Sequence, residues 1–168
     1  FFDRRYMFIV CHGDLVEDQT FYGLTFYDAY LPQKELIEAL LNSTLSYLLI
    51  ELLGRSSLGD GVLQYSKTDM ASFPTINPAL FEGEVSQQVI DAFGVIRKRK
   101  ILPIEQEVQR ADRQTLDMLV LKQLLNGSDV DLSALYTEMI DVLLTSGFRR
   151  RDIARQRRQQ PTASGLVL

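Results

Sequence analysis

From Leu36 to Leu53 apolar residues fill most positions: Leu36, Ile37, Leu40, Leu41, Leu45, Leu48, Leu49, Ile50, Leu52 and Leu53. A helix apolar almost all round is a core element. The pattern predicts a single buried helix over this stretch, with the polar Asn42, Ser43, Thr44, Ser46, Tyr47 and Glu51 as exceptions. Those polar side chains either bond to backbone and neighbours inside the fold or face a partner. Gly54 is placed to end the helix in a left-handed conformation. Glu51 and Arg55, four residues apart with the acid first, are expected to pair on one face. Arg55 to Gly61 then reads as a loop punctuated by Gly59 and Gly61, whose backbone can approach a ligand closely.

Upstream, residues 6–12 (YMFIVCH) and 20–27 (TFYGLTFY) have the aromatic and β-branched character of strands, separated by a Gly13-Asp14 turn. Pro32 suits the first turn of the following helix. Downstream, 62–66 reads as a brief strand, and Ser66 as the N-cap of a short helical turn. Pro74 and Pro78 hold an extended crossing segment. The second half is helical. Val85, Val89, Ala92, Phe93 and Ile96 predict a helix over 84–100, and Ile101-Leu102-Pro103 breaks it. A third helix starts at Ile104 or at Asp112 and runs to Leu125, where Asn126-Gly127 stops it. Another starts at Asp131 and is expected to end at Gly147. The sequence thus predicts a helix-rich α+β fold. A small strand-containing module over 1–80 is followed by a helical extension over 81–158 and a disordered tail over 159–168.

The chain has 168 residues, 46% of them hydrophobic and 24% charged, the balance of a globular domain. The stretch 36–53 is interrupted by Glu38, Asn42 and Glu51, so a core helix is expected and no membrane span. A single cysteine, Cys11, allows no intrachain disulfide, in keeping with a reducing cytoplasm. The neighbouring His12 has no further soft ligand, which argues against a zinc site. The net charge of −4 is unevenly spread. Arg97 to Lys100 form one basic run, and six arginines stand against the single Asp152 between 149 and 158. A basic face is therefore compatible with an acidic total.

Leu41-Asn42-Ser43-Thr44-Leu45, then Glu51-Leu52-x-Gly54-Arg55, then Leu58-Gly59-x-Gly61-x-Leu63, resembles a segment near the C-terminus of N6-adenine DNA methyltransferases, the large TaqI-like restriction-modification enzymes. Asp18-Gln19-Thr20-Phe21-Tyr22 and Ala71-Ser72-Phe73-Pro74-Thr75-Ile76 fit the same order. The resemblance covers roughly residues 1–80. It implies a target-recognition module that contacts double-stranded DNA in the cytoplasm. The parent enzyme would carry a methyl group from S-adenosylmethionine to adenine N6, flipping the base out to reach it. The methionine-cradling loop and the Asn/Asp-Pro-Pro-aromatic motif of that chemistry are absent; Asn77-Pro78-Ala79-Leu80 lacks the second proline and the ring. The first residues, Phe-Phe-Asp-Arg-Arg without Met, suggest a fragment. The expectation is a non-catalytic piece without its own cofactor, whose partners are DNA and an upstream catalytic domain.

The residues placed for DNA contact are Arg55, Ser56, Ser57, Gly59 and Lys67, with Arg4 and Arg5 as secondary candidates. Arginine, hydroxyls and free backbone N–H groups are donors for phosphate. The C-terminal arginines are either a duplex-contacting arm or a solvated helix end. The alternative is a helical module that docks a partner protein and never touches DNA. A stand-alone enzyme ranks last, since no catalytic constellation is visible. The DNA reading requires Arg55, Lys67 and one basic run to share a face; the docking reading requires a broad apolar face.

Overall fold

The computed structural model describes residues 3–8, 23, 25–58 and 61–159; the side chains of 56–58 and 157–159 are outside that description. Cys11, His12, Asp18 to Tyr22, Gly59 and the tail from 160 lie outside the described residues. So do most of the two upstream strands expected from the sequence, and their described parts, 6–8 and 25–27, are not in a strand.

The protein is helix-rich. A 3-10 helix, Asp28–Gln33, leads into α1 (Lys34–Leu41) and α2 (Thr44–Leu53). A hairpin of β1 (Arg55–Leu58) and β2 (Val62–Gln64) follows, then α3 (Lys67–Ala71) and a 3-10 turn, Pro78–Leu80. The remainder is α4 (Glu84–Arg97), α5 (Ile104–Glu107), α6 (Ala111–Leu124) and α7 (Leu132–Gln159). No single helix among the described residues is long and apolar enough to cross a membrane.

The single helix expected over 36–53 is two helices, bent by 71°. Ser43 makes the break. It is extended (φ −73°, ψ 155°) and its hydroxyl accepts the Ser46 N–H, which starts α2 afresh. The polar residues of the apolar stretch cluster there, buried and bonded internally. The Asn42 carboxamide accepts the Phe8 N–H and donates to the Phe8 carbonyl, both at 3.0 Å, so it pairs with the N-terminal segment as a strand would. The Thr44 N–H and hydroxyl donate to Asp117 of α6 at 2.8 and 2.6 Å. These residues therefore fix packing, the first of the two roles open to them.

Gly54 is also different from expectation. Its φ of −71° and ψ of 149° are extended, not left-handed. Glycine is needed for space: a Cβ here would lie 2.8 Å from the Ile50 carbonyl oxygen and 2.9 Å from Leu63 Cδ2. In place of the expected loop, Arg55–Leu58 is the first strand of the hairpin, with Arg55 opposite Gln64 and Leu58 opposite Val62. The left-handed glycine belongs to its turn, where Gly61 has φ +70° and a Cβ would meet Ala154 and the Arg150 backbone of α7 at 3.1 to 3.2 Å. Gly61 thus lies directly on α7.

Helix α7 does not end at Gly147 but runs on to Gln159. A glycine inside a helix weakens it by only about 1 kcal/mol, and the residues beyond it are held by two arginine ion pairs described below. Both large hydrophobic clusters draw on either side of residue 80. One joins Leu36, Ala39 and Leu40 to Phe93, Ile96 and Leu116; the other joins Tyr6, Tyr47 and Ile50 to Ile104, Val108 and Leu143.

Glu107, buried, is the centre of a charged network. Arg99 reaches it at 2.8 Å and Asp112 at 2.6 Å, and Arg113 reaches it at 3.0 Å. Burial pushes the Glu107 carboxyl up, but Arg99, the Leu102 N–H and Arg113 hold it below its usual range. The Arg99 hydrogen bond does the same for Asp112. Carboxyls with lowered folded values add stability above their unfolded values, near 4, and lose it as pH falls through the lower folded ones. Asp117 works with the opposite sign, since burial raises it against the pull of Arg113, Thr44 and Tyr136. The loss on acidification is therefore isolated by Arg99→Gln. Urea midpoints at about pH 6 and pH 3 are expected to differ less in this variant than in the wild type.

Candidate nucleic-acid interface

The predicted contact residues separate into two places. Around the hairpin, Ser66 caps α3 in a reciprocal box: its hydroxyl accepts the Asp69 N–H at 3.1 Å, and its own N–H donates to Asp69 Oδ2 at 2.8 Å. Those Ser66 hydrogen bonds, with help from Arg55, hold the Asp69 carboxyl below its usual range. The remaining oxygen, Oδ1, accepts from Arg55, so Arg55 pairs with Asp69 and not with Glu51 as the i,i+4 spacing suggested. The Arg55 side chain is still 68% exposed. Lys67, two residues before Asp69, is exposed as well. Ser56 and Ser57 contribute backbone to β1; their side chains, and Gly59 altogether, are beyond the described structure.

Arg4 and Arg5 lie elsewhere, with the basic runs. Arg5 Nε donates to the Ile101 carbonyl at 3.2 Å, beside Lys100. The Arg4 guanidinium meets Glu105 at 3.4 Å, and Arg151 of α7 meets the other oxygen of the same carboxylate at 2.9 Å. Arg150 donates to the Asp3 carbonyl at 3.0 Å. Three segments far apart in sequence, 3–5, 100–105 and 149–155, are thus brought together. Arg4, Arg5, Lys98, Lys100, Arg149 and Arg155 are exposed. Arg55 and Gln64 form the open end of the hairpin, about 10 Å along the strand from the end where Gly61 sits on α7. The structure accordingly brings Arg4 and Arg5 against residues 101–105 and the Arg150–Arg151 turn of α7, while Arg55 lies beside Asp69, near Lys67, at the open end of the hairpin; the single face shared by Arg55, Lys67 and a basic run, which the DNA reading requires, is not what the contacts show.

Several arginines of the basic runs are tied to carboxylates, and Arg99, Arg150 and Arg151 are largely sealed by them. Arg97 pairs with Glu38 at 3.3 Å, Arg99 with Glu107 and Asp112, and Arg150 with Glu51 at 2.9 Å. Arg150 and Arg151 have side chains only 7% and 11% exposed. The sequence reading missed the carboxylates that hold them. Glu51, Glu105 and Glu107 lie 99, 46 and 8 residues from the arginines they bind, and only the last separation is short. The one local signal was Glu51 itself, an acid in an apolar helix.

A groove of about 460 Å³ lies between α6 and α7, lined by Gln114, Met118, Tyr136, Thr137 and Ile140 among others. It has no charged side chain on its wall and contains none of the predicted contact residues. Among the described residues no group of three or more His, Cys, Asp or Glu side chains is placed to hold a metal ion.

No family model, curated protein or solved structure matches the chain.

Proposed function

We propose that this chain is the DNA-contacting, target-recognition portion of an adenine-specific, S-adenosylmethionine-dependent DNA methyltransferase of a restriction-modification system, with the catalytic domain outside it. In this reading residues 1–80 form an α+β recognition module, and the cytoplasm is its compartment. The observation that supports DNA contact is that three distant segments carrying exposed cations, Arg4 and Arg5, Lys100, and Arg149, meet through the Arg5–Ile101, Arg4–Glu105–Arg151 and Arg150–Asp3 contacts. Clustered cations supply the sequence-independent part of duplex affinity. The methyltransferase assignment rests on the ordered resemblance of 41–63. Those residues are consecutive in the chain: the break at Asn42 to Thr44, then α2, then the hairpin.

Fluorescence anisotropy with a mixed-sequence duplex tests it. Micromolar binding is expected at about 50 mM salt, with log affinity falling linearly against log salt. Lys67→Ala and Arg149→Ala are each expected to lower the slope by about 0.9, the share of one phosphate contact. Absence of binding at low salt rejects direct DNA contact by this chain. It would favour the second reading, a protein-docking module, which has its own supporting observation. Tyr27, Tyr30 and Leu31, at the 3-10 helix before α1, are 81%, 49% and 50% exposed.

A further inference from the structure

The cations at the basic end are not equally available, and the difference lies in one carboxylate. Glu105 Oε1 accepts from Arg151 Nη2 at 2.9 Å, and Glu105 Oε2 accepts from Arg4 Nη2 at 3.4 Å. The first contact is short, and Arg151 is almost buried. The second is long, single, and made by a side chain that is 51% exposed. The Arg4 backbone, by contrast, is fixed: its carbonyl accepts the Ile104 N–H at 2.7 Å, which seats Arg4 beside Glu105 whatever its side chain does. The arrangement is an anchored residue with an exchangeable guanidinium.

We propose that Glu105 is an internal stand-in for a backbone phosphate, holding Arg4 until duplex DNA takes its place. This inference rests on the DNA-contacting reading above. The chemistry favours exchange. A phosphate offers a guanidinium two charged oxygens in bidentate geometry, against one long contact to a carboxylate. The Arg151 bond stays in place through the exchange, because it uses the other oxygen. The same division of labour recurs at the hairpin, where Asp69 commits one oxygen to the Ser66 cap and the other to the exposed Arg55. In the free protein Glu105 offsets one of the two positive charges that share it, and Asp69 that of Arg55, so the field that a stray anion meets there is reduced.

Glu105→Gln removes the charge and keeps an oxygen for Arg151. Duplex affinity is measured by anisotropy for the wild type, Glu105→Gln, Arg4→Ala and the double variant. Glu105→Gln is expected to tighten binding about two- to fivefold, the scale of an exposed ion pair. Arg4→Ala, which leaves the Glu105–Arg151 bond untouched, is expected to weaken binding by a similar factor. In the Arg4→Ala background, Glu105→Gln is expected to change nothing. If the wild type binds and Glu105→Gln binds no tighter, or tightens equally without Arg4, the stand-in role is overturned and the DNA reading survives. Unchanged affinity in Arg4→Ala overturns it too. If none of the four proteins binds at low salt, both fall.

Discussion

Arg113→Met is expected to lower stability by about 3–5 kcal/mol, the cost of removing one member of a buried ion pair. Arg113 has no exposed side-chain surface, and it is bound on every side. Its Nε and Nη2 donate to Glu107 at 3.2 and 3.0 Å, Nη1 donates to the Asn42 carbonyl, and its guanidinium carbon stands 5.1 Å from the centre of the Tyr47 ring. Methionine fills much of the volume and satisfies none of these groups. Glu107 keeps Arg99, so the carboxylate is not abandoned. The Asn42 carbonyl loses its partner at the residue where α1 gives way to α2. The damage therefore concentrates on the α1–α2 break, which holds the N-terminal segment through Phe8. At roughly 2–4 °C per kcal/mol for a chain of this size, the melting temperature followed by circular dichroism is expected to fall by about 6–20 °C. A drop of only a degree or two would mean that the polar network around the break is incidental to the fold.

That network also marks where sequence reading stops. The helix over 84–97 was legible because local periodicity decides it: Val89, Phe93 and Ile96 are the buried face the spacing predicts. The helix over 111–124 was legible in extent, from its stop at Asn126-Gly127, but its buried face also holds Arg113 and Asp117. Ser66 as an N-cap was legible because capping is a contact over three residues. The break at Asn42 to Thr44 was hidden by the apolar run around it: Ser43 caps α2 locally, but the bonds that hold the break inside the fold, from Thr44 to Asp117 and from Arg113 to Asn42, span more than 70 residues. Gly54 does stop α2, but with an extended backbone and a glycine required by the close approach of Leu63; Gly147, which also looks like a helix stop in isolation, is overridden by the arginines beyond it. The candidate interface was half legible. Composition located the basic runs, but charge alone does not separate an arginine facing solvent from one sealed against a glutamate. Arg149 is exposed while Arg150, the next residue, is buried, because successive helical positions point about 100° apart.

Glu51→Leu is expected to cost about 3–5 kcal/mol, and Glu51→Leu with Arg150→Met to recover most of it. Glu51 is 7% exposed, on a helix with the apolar Leu52 and Leu53 turned outward. Its carboxylate takes Arg150 Nε at 2.9 Å and Nη2 at 3.1 Å, and accepts the Tyr6 hydroxyl. Those contacts join α2, α7 and the N-terminal segment at one point. Leucine in place of Glu51 leaves the Arg150 charge buried without its partner. The double variant removes both charges and replaces them with apolar side chains of similar size, an exchange that is often neutral in a protein interior. Urea midpoints for the two single variants and the double variant form a cycle, and a coupling well above 1 kcal/mol is expected from it. The same proteins speak to the surface. Arg150 is a fastener in this account, so the folded double variant is expected to bind duplex with nearly the wild-type salt slope, whereas Arg149→Ala lowers it. An additive cycle would place the anchor of the end of α7 elsewhere. A slope that drops by one phosphate in the double variant would make Arg150 a DNA contact after all.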